Sequence, residues 1–124
     1  NPMACRAACE VLDILRDDGL LDSSREIGAY LLGGIRQAAA RAGLEVDARG
    51  SGMMIGIAVL DGAGAADAAR AKAVVDAAIA RGLLLLAPIG LDGNVVRVSP
   101  PLILTREQAA EGIGVLAEAF AVVA

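Results

Sequence analysis

Apolar residues recur at intervals of three and four positions along four stretches of the chain, which is the period of an amphipathic α-helix. The predicted helices run from Pro2 to about Asp17, from Asp22 or Ser23 to Gly43, from about Ala65 to Arg81, and onwards from Thr105. Capping residues mark their ends: Asn1 before Pro2, Ser23 with Glu26, Thr105 with Gln108, and the glycines Gly19, Gly43 and Gly82. The pattern therefore predicts four helices.

The first two helices differ in their polar surface. The first has one narrow polar stripe, Arg6, Glu10, Asp13 and Asp17, and we expect neighbours on most of its sides. The second has a core stripe formed by Ile27, Leu31, Ile35, Ala38 and Ala42. Two glycines in its middle, Gly33 and Gly34, cost about 1 kcal/mol each relative to alanine, which indicates close packing there.

Between the helices the pattern changes to that of β-strands. Residues 44–49 alternate between apolar and polar, which predicts a half-buried strand. A tight turn at Arg49–Gly52 leads into the apolar run Met53–Leu60, predicted as a central strand covered on both faces. Leu83–Ala87 is predicted as another buried strand, followed by a hairpin loop at Pro88–Asn94. We expect an α+β fold with a short, largely antiparallel sheet and helices packed on one face.

Arg97 is the one charge in the last predicted strand. Its neighbours Val95, Val96 and Val98 are β-branched, and Pro100-Pro101 ends the strand because proline has no backbone donor. An arginine keeps its charge, so it either reaches water or holds an anion. The residues leave both interpretations open: a solvated arginine at the rim of the sheet, or a guanidinium that binds a carboxylate through two hydrogen bonds.

Composition and charge narrow the classes of function. At 124 residues the chain is predicted to be one domain, residues 1–124. It is 56% hydrophobic with one Phe, one Tyr and no Trp, which suggests surface covered by a partner or by further polypeptide. A net charge of −4 without a basic cluster disfavours nucleic acid and anionic membranes as partners. The apolar runs are too short to span a bilayer, and we expect neither a membrane segment nor a signal peptide.

The two cysteines, Cys5 and Cys9, lie one helical turn apart. That spacing suits a disulfide poorly, and without histidine a zinc site is not expected. We interpret both as buried, small apolar residues in a reducing cytoplasm. No metal is predicted.

Five motifs in a fixed order carry a resemblance that covers essentially the whole chain. They are Asn1-Pro2-Met3-Ala4-Cys5, Gly19-Leu20-Leu21, Arg49-Gly50-Ser51-Gly52-Met53-Met54-Ile55-Gly56, Gly82-Leu83-Leu84 and Val96-Arg97-Val98-Ser99-Pro100-Pro101-Leu102. Together they resemble the closing segment of class III aminotransferases of the ornithine/4-aminobutyrate/acetylornithine type, which depend on pyridoxal 5′-phosphate.

The resemblance implies the small C-terminal domain of a fold-type I enzyme that works as a homodimer and moves an amino group between an amino acid or amine and a 2-oxo acid. The arginine before the diproline binds the substrate carboxylate in that family, and only Arg97 matches it. Arg49 belongs to a turn motif and is interpreted as structural. The missing methionine at position 1 suggests a chain cut from a longer one.

The family's cofactor contacts are expected in a large domain that this chain lacks. Transamination needs a lysine that holds the cofactor. The single lysine, Lys72, lies four residues before Asp76, the spacing of a solvated helical ion pair. We therefore expect no catalytic and no cofactor-binding residue here, and no activity of the chain alone. The alternatives are a free-standing carboxylate-binding module that uses Arg97, or a structural domain whose first helix docks a partner.

Overall fold

A computed structural model describes residues 1–124 and has seven regular elements. They are α1 (Pro2–Asp17), α2 (Leu20–Ala42), β1 (Val46–Ser51), β2 (Met54–Val59), α3 (Ala68–Ala80), β3 (Val95–Val98) and α4 (Arg106–Val123). The strands form one antiparallel sheet in the order β1-β2-β3. The predicted α+β class, with an antiparallel sheet and helices on one face, is confirmed.

The core lies between one face of the sheet and three helices. Helices α2 and α3 contact the sheet, and α4 packs against both of them. The largest fully buried side chains are Phe120, Ile35, Ile55, Ile57, Val59, Val74 and Val96. Of the stripe predicted on α2, Ile27, Leu31, Ile35 and Ala38 are buried, which confirms the face assigned to that helix.

The outer strand β1 is tied to α2 by a charged side chain. The guanidinium of Arg36 donates two hydrogen bonds to the carbonyl oxygen of Ala48 in β1, at 3.0 Å from Nε and 2.6 Å from Nη2. Gly28 of α2 lies against the backbone of Gly52, in the turn between β1 and β2. These two contacts fix the hairpin on the helix.

Helix α1 contacts only α2 and buries none of its residues. Its predicted cap is confirmed, since the Asn1 side chain accepts a hydrogen bond from the Met3 amide. The prediction that Cys5 and Cys9 are buried is wrong: both are free and exposed. The expected neighbours on most sides of α1 are also not provided by this chain, whose only contribution there is one face of α2.

Two helices begin at residues other than those predicted. Helix α2 begins at Leu20, so Ser23 and Glu26 lie inside the helix and the capping box predicted there does not form. Gly19, with φ +67°, joins α1 to α2 in the left-handed conformation, directly after the C-cap Asp18. Helix α3 begins at Ala68, three residues later than predicted, with Asp67 as its cap. The capping box of Thr105 and Gln108 is confirmed at the start of α4.

Two strand predictions are also corrected. The turn between β1 and β2 lies at Gly52 and Met53, because Arg49 and Gly50 pair with Gly56 and Ile55 inside the ladder. Residues 83–87, predicted as a strand, belong to no ladder. Further along the chain, Ile89 pairs with Val95 through two backbone hydrogen bonds of 2.9 and 3.0 Å. Leu83 and Leu85 are still half-buried against the core, which explains the apolar run without a strand.

Candidate functional site

Arg97 lies in the middle of β3 and points away from the core. Its neighbours Val96 and Val98 are buried on the helix-covered face. Because side chains alternate along a strand, Arg97 lies on the opposite face, where it is exposed. We call this second surface the open face of the sheet. The sequence identified Arg97 as the charge of this strand, and the structure places it on the open face.

The open face holds a small set of residues, fixed by the register of the three strands. They are Asp47, Arg49, Ser51, Met54, Gly56, Ala58, Val95 and Arg97. Met54 is 70% exposed. Ala58, on the same face, is buried, and Gly56 is half-buried. The prediction that β2 is covered on both faces is therefore wrong at Met54 and holds at Ala58, while helices cover only the face with Ile55, Ile57 and Val59.

Arg97 makes no ion pair and donates no hydrogen bond, a property it shares with Arg41 alone among the arginines. Arg49, on the same face, is paired with Asp47 at 2.7 Å between Nη1 and Oδ2. The five donors of the Arg97 guanidinium are thus available to an anion, and a planar carboxylate can accept two of them side by side. Arg49 lies within β1, not in the turn to which its motif was assigned.

A hollow of about 200 Å³ borders Arg97. One wall is the extended apolar segment Leu83–Leu86, and the other is Arg97–Pro100. Pro100 begins the rigid exit from β3, because proline fixes its own backbone angle φ. A cation beside an apolar wall suits a small molecule with one acidic end and one aliphatic part.

On its other side Arg97 faces an empty position. Gly56 is the register partner of Arg97, and Arg49 is the partner of Gly56 on the far strand. One row across the sheet therefore reads Arg49, Gly56, Arg97, with no side chain in its centre. In the sequence, Gly56 stood out only as part of a motif, although a glycine within an apolar strand is itself a signal for a close approach to the backbone.

Lys72 is the one lysine of the chain, and it lies outside the open face. Lys72 lies exposed on α3 and pairs with Asp76, as predicted from their spacing. No group of three or more His, Cys, Asp or Glu side chains is arranged to hold a metal ion. No helix is both long and apolar enough to cross a membrane.

The acids with shifted pKa values lie off the open face, and each has a local cause. Hydrogen bonds from the backbone amides of Ala65 and Ala63 lower the pKa of Asp61, in the loop after β2. A hydrogen bond from Arg16 lowers the pKa of Asp17 at the end of α1. Its own backbone amide, more than the Thr105 side chain, lowers the pKa of Glu107 in the first turn of α4. Asp61 and Glu107 hold local backbone, Asp17 pairs with a side chain, and none of the three lies on the open face.

Comparison with known proteins shows which sequences this chain is similar to. The model of the family described as aminotransferase class III matches residues 1–120. An ornithine aminotransferase of Bordetella pertussis is 38% identical over 108 residues, covering 87% of this chain and 24% of that protein. An alanine/serine racemase of Pyrococcus horikoshii is 32% identical over 120 residues, covering 97% of this chain and 25% of that protein. The chain thus spans about a quarter of the length of these relatives.

Solved structures agree with the fold. An amine transaminase from an uncultivated Pseudomonas species, crystallised in its PLP-bound form, superposes with a TM-score of 0.83 at 32% identity, covering 99% of this chain and 28% of that one. A Bacillus anthracis aminotransferase superposes with a TM-score of 0.83 at 28% identity, covering 97% and 28%.

Proposed function

The chain belongs to the class III aminotransferase family, and we propose that it is the small domain of a longer enzyme that transfers amino groups. In that enzyme residues 1–124 form one domain, and a large domain completes the polypeptide. The coverage supports this proposal, since the chain matches a quarter of relatives that are about four times as long. The reaction moves an amino group between an amino acid or amine and a 2-oxo acid.

The cofactor of the intact enzyme is pyridoxal 5′-phosphate, as in the PLP-bound amine transaminase. The residues of this chain do not fit that cofactor. Its single lysine, Lys72, is exposed and forms an ion pair with Asp76. A lysine that binds an aldehyde needs a free amine that can reach the aldehyde. We therefore assign the cofactor to the large domain, and we expect no activity from the isolated chain.

Arg97 supplies the carboxylate contact of the substrate. The single observation that carries this role is an arginine without any partner, held at the centre of a strand on the open face. Amino acids and 2-oxo acids share a carboxylate next to the reacting carbon, so one fixed guanidinium can orient both in the same way. The same contact would serve a racemase, which also acts on an amino acid.

The partners of the domain follow from its exposed surface. Met3 of α1 is 81% exposed and Leu84 beside the hollow is 83% exposed. Large apolar side chains at this exposure are typical of surfaces that pack against other polypeptide. We assign these contacts to the large domain and to the second subunit of a homodimer. The free thiols Cys5 and Cys9 suit a reducing compartment, and we place the enzyme in the cytoplasm.

A free-standing carboxylate-binding module is the alternative function. Both functions use Arg97, but only the first accounts for a family match over residues 1–120 of a 124-residue chain. The alternative predicts carboxylate binding by the chain alone, while our proposal requires the remainder of the enzyme.

Replacement of Arg97 by lysine in the intact enzyme tests the proposal. Lysine keeps the charge and loses the two-pronged contact, which is worth about 1.5–3 kcal/mol for hydrogen bonds to a charged group. We expect kcat/KM for amino acid and 2-oxo acid to fall about 10- to 100-fold with cofactor binding unchanged. Arg41→Lys, which changes the other unpartnered arginine, is the control. Normal use of both substrates by the Arg97→Lys enzyme would refute the role of Arg97.

A further inference from the structure

Gly56 lies at a position where glycine does not stabilise the sheet. It lies inside β2, the central strand, between the buried residues Ile55 and Ile57. Glycine weakens a strand interior, because it restricts the unfolded chain least and has no side chain to pack. A glycine at such a position therefore has another cause, either a backbone requirement or a close approach by a second group.

The backbone does not require it. A β-carbon placed on Gly28 would overlap the backbone of Gly52, and one on Gly50 would overlap the backbone of Met54. A β-carbon on Gly56 meets only the Cγ1 atom of Val95 at 3.3 Å and the carbonyl oxygen of Arg49 at 4.0 Å. Gly56 is also absent from the glycines with positive φ. The fold can accept alanine at position 56 if the Val95 side chain shifts by a few tenths of an ångström.

The space above Gly56 lies directly beside Arg97. The two residues are register partners across β2 and β3, so their side-chain positions are neighbours on the open face. No atom of Arg97 lies within 4 Å of the position that a β-carbon of Gly56 would take. The Arg97 side chain thus borders the space above Gly56 without filling it.

We propose that Gly56 is a positioning residue for the substrate: its missing side chain leaves the gap in which the carboxylate end lies against Arg97. This inference rests on the proposed function of Arg97. It assigns to Gly56 the size of the space beside the guanidinium, and so makes position 56 a determinant of which acids bind. A side chain there would hold the carboxylate away from Arg97 without touching the charge.

The test uses the intact enzyme with Gly56→Ala and Gly56→Val. We expect KM for the amino acid and the 2-oxo acid to rise about tenfold for alanine and further for valine, with kcat reduced much less. Bound cofactor, read from its absorbance, and melting temperature should remain those of the unchanged enzyme. A residue that only supports the fold would alter those two readouts first.

Two further variants separate the causes. Val95→Ala combined with Gly56→Ala removes the one close contact of the new methyl group, so a rise in KM that persists comes from the filled gap. The same substitution, Gly56→Ala, in an Arg97→Ala enzyme should add little, because the carboxylate contact is already lost.

The outcomes distinguish this inference from the role of Arg97. An unchanged KM in the Gly56→Ala enzyme, with a raised KM after Arg97→Ala, overturns the role of Gly56 alone. A lower melting temperature or loss of cofactor with KM unchanged also overturns it, because Gly56 would then pack against polypeptide. An unchanged KM after Arg97→Ala overturns the proposed function itself.

Discussion

Three glycines of helix α2 test how the helix holds the sheet hairpin, because the same substitution should have three different effects. Gly28→Ala places a methyl group against the Gly52 backbone, with Cα only 2.7 Å away. Gly33→Ala meets nothing within 4 Å. Gly34→Ala meets the flexible end of the Ile113 side chain, whose Cγ1 atom is 3.0 Å away.

The expected changes in the free energy of unfolding combine the helix propensity of alanine with the cost of overpacking. Alanine in place of glycine inside a helix gains about 0.5–1 kcal/mol, so Gly33→Ala should stabilise the chain by that amount. Overpacking against backbone costs about 1–3 kcal/mol and outweighs this gain at Gly28. Gly34→Ala should fall between the two, since the Ile113 side chain can move. Both variants share the gain in helix propensity, so the Gly28 and Gly33 variants should differ by the overpacking cost, about 1–3 kcal/mol.

The assay is equilibrium urea unfolding of the 124-residue chain, followed by circular dichroism. With a denaturant slope of about 1–3 kcal/mol per molar urea, the unfolding midpoints of the Gly28→Ala and Gly33→Ala chains should differ by about 1 M. Equal midpoints for these two variants would refute the contact between α2 and the turn at Gly52, and with it the placement of the hairpin.

Three other predictions concern the parts around the site. Arg36→Met should destabilise the chain by about 1–2 kcal/mol in urea unfolding, because two hydrogen bonds to Ala48 are lost, and a neutral effect would contradict that link. The pKa of Asp61 is lower in the folded chain than in the unfolded chain, so its carboxylate stabilises the fold above the unfolded pKa of about 3.9. This stabilisation is lost as the pH falls through the lower pKa of the folded chain. The melting temperature of the wild type should therefore exceed that of Asp61→Asn at pH 6, and the difference should close in stronger acid. Both thiols should react with a maleimide in the folded chain, and a native chain that resists the reagent would contradict the exposure of Cys5 and Cys9.

Periodicity was informative wherever the partners of an element lie within this chain. The core stripe of α2 and the antiparallel sheet were predictable because their apolar faces meet in the core. The capping box of α4 was predictable because it depends only on Thr105 and Gln108. The strand register could not be predicted from periodicity. The position of the turn at Gly52 and Met53 depends on the pairing of Arg49 and Gly50, which an apolar run does not reveal.

The predictions failed where apolar residues lack a partner in the chain. Cys5, Cys9 and Met54 were predicted to be buried and are exposed, and residues 83–87 were predicted as a strand and belong to no ladder. A sequence records that a surface is apolar and not which molecule covers it. The same ambiguity affects the site: Arg97 stood out as a charge among valines, while Gly56 became meaningful only once the register placed it opposite Arg97.

The most direct test of the account is a crystal structure of the intact enzyme with a carboxylate-bearing substrate analogue. We expect both oxygens of the carboxylate to accept hydrogen bonds of about 2.7–3.0 Å from the guanidinium of Arg97, above the backbone of Gly56. A carboxylate held by other residues, with Arg97 in an ion pair to protein, would contradict it.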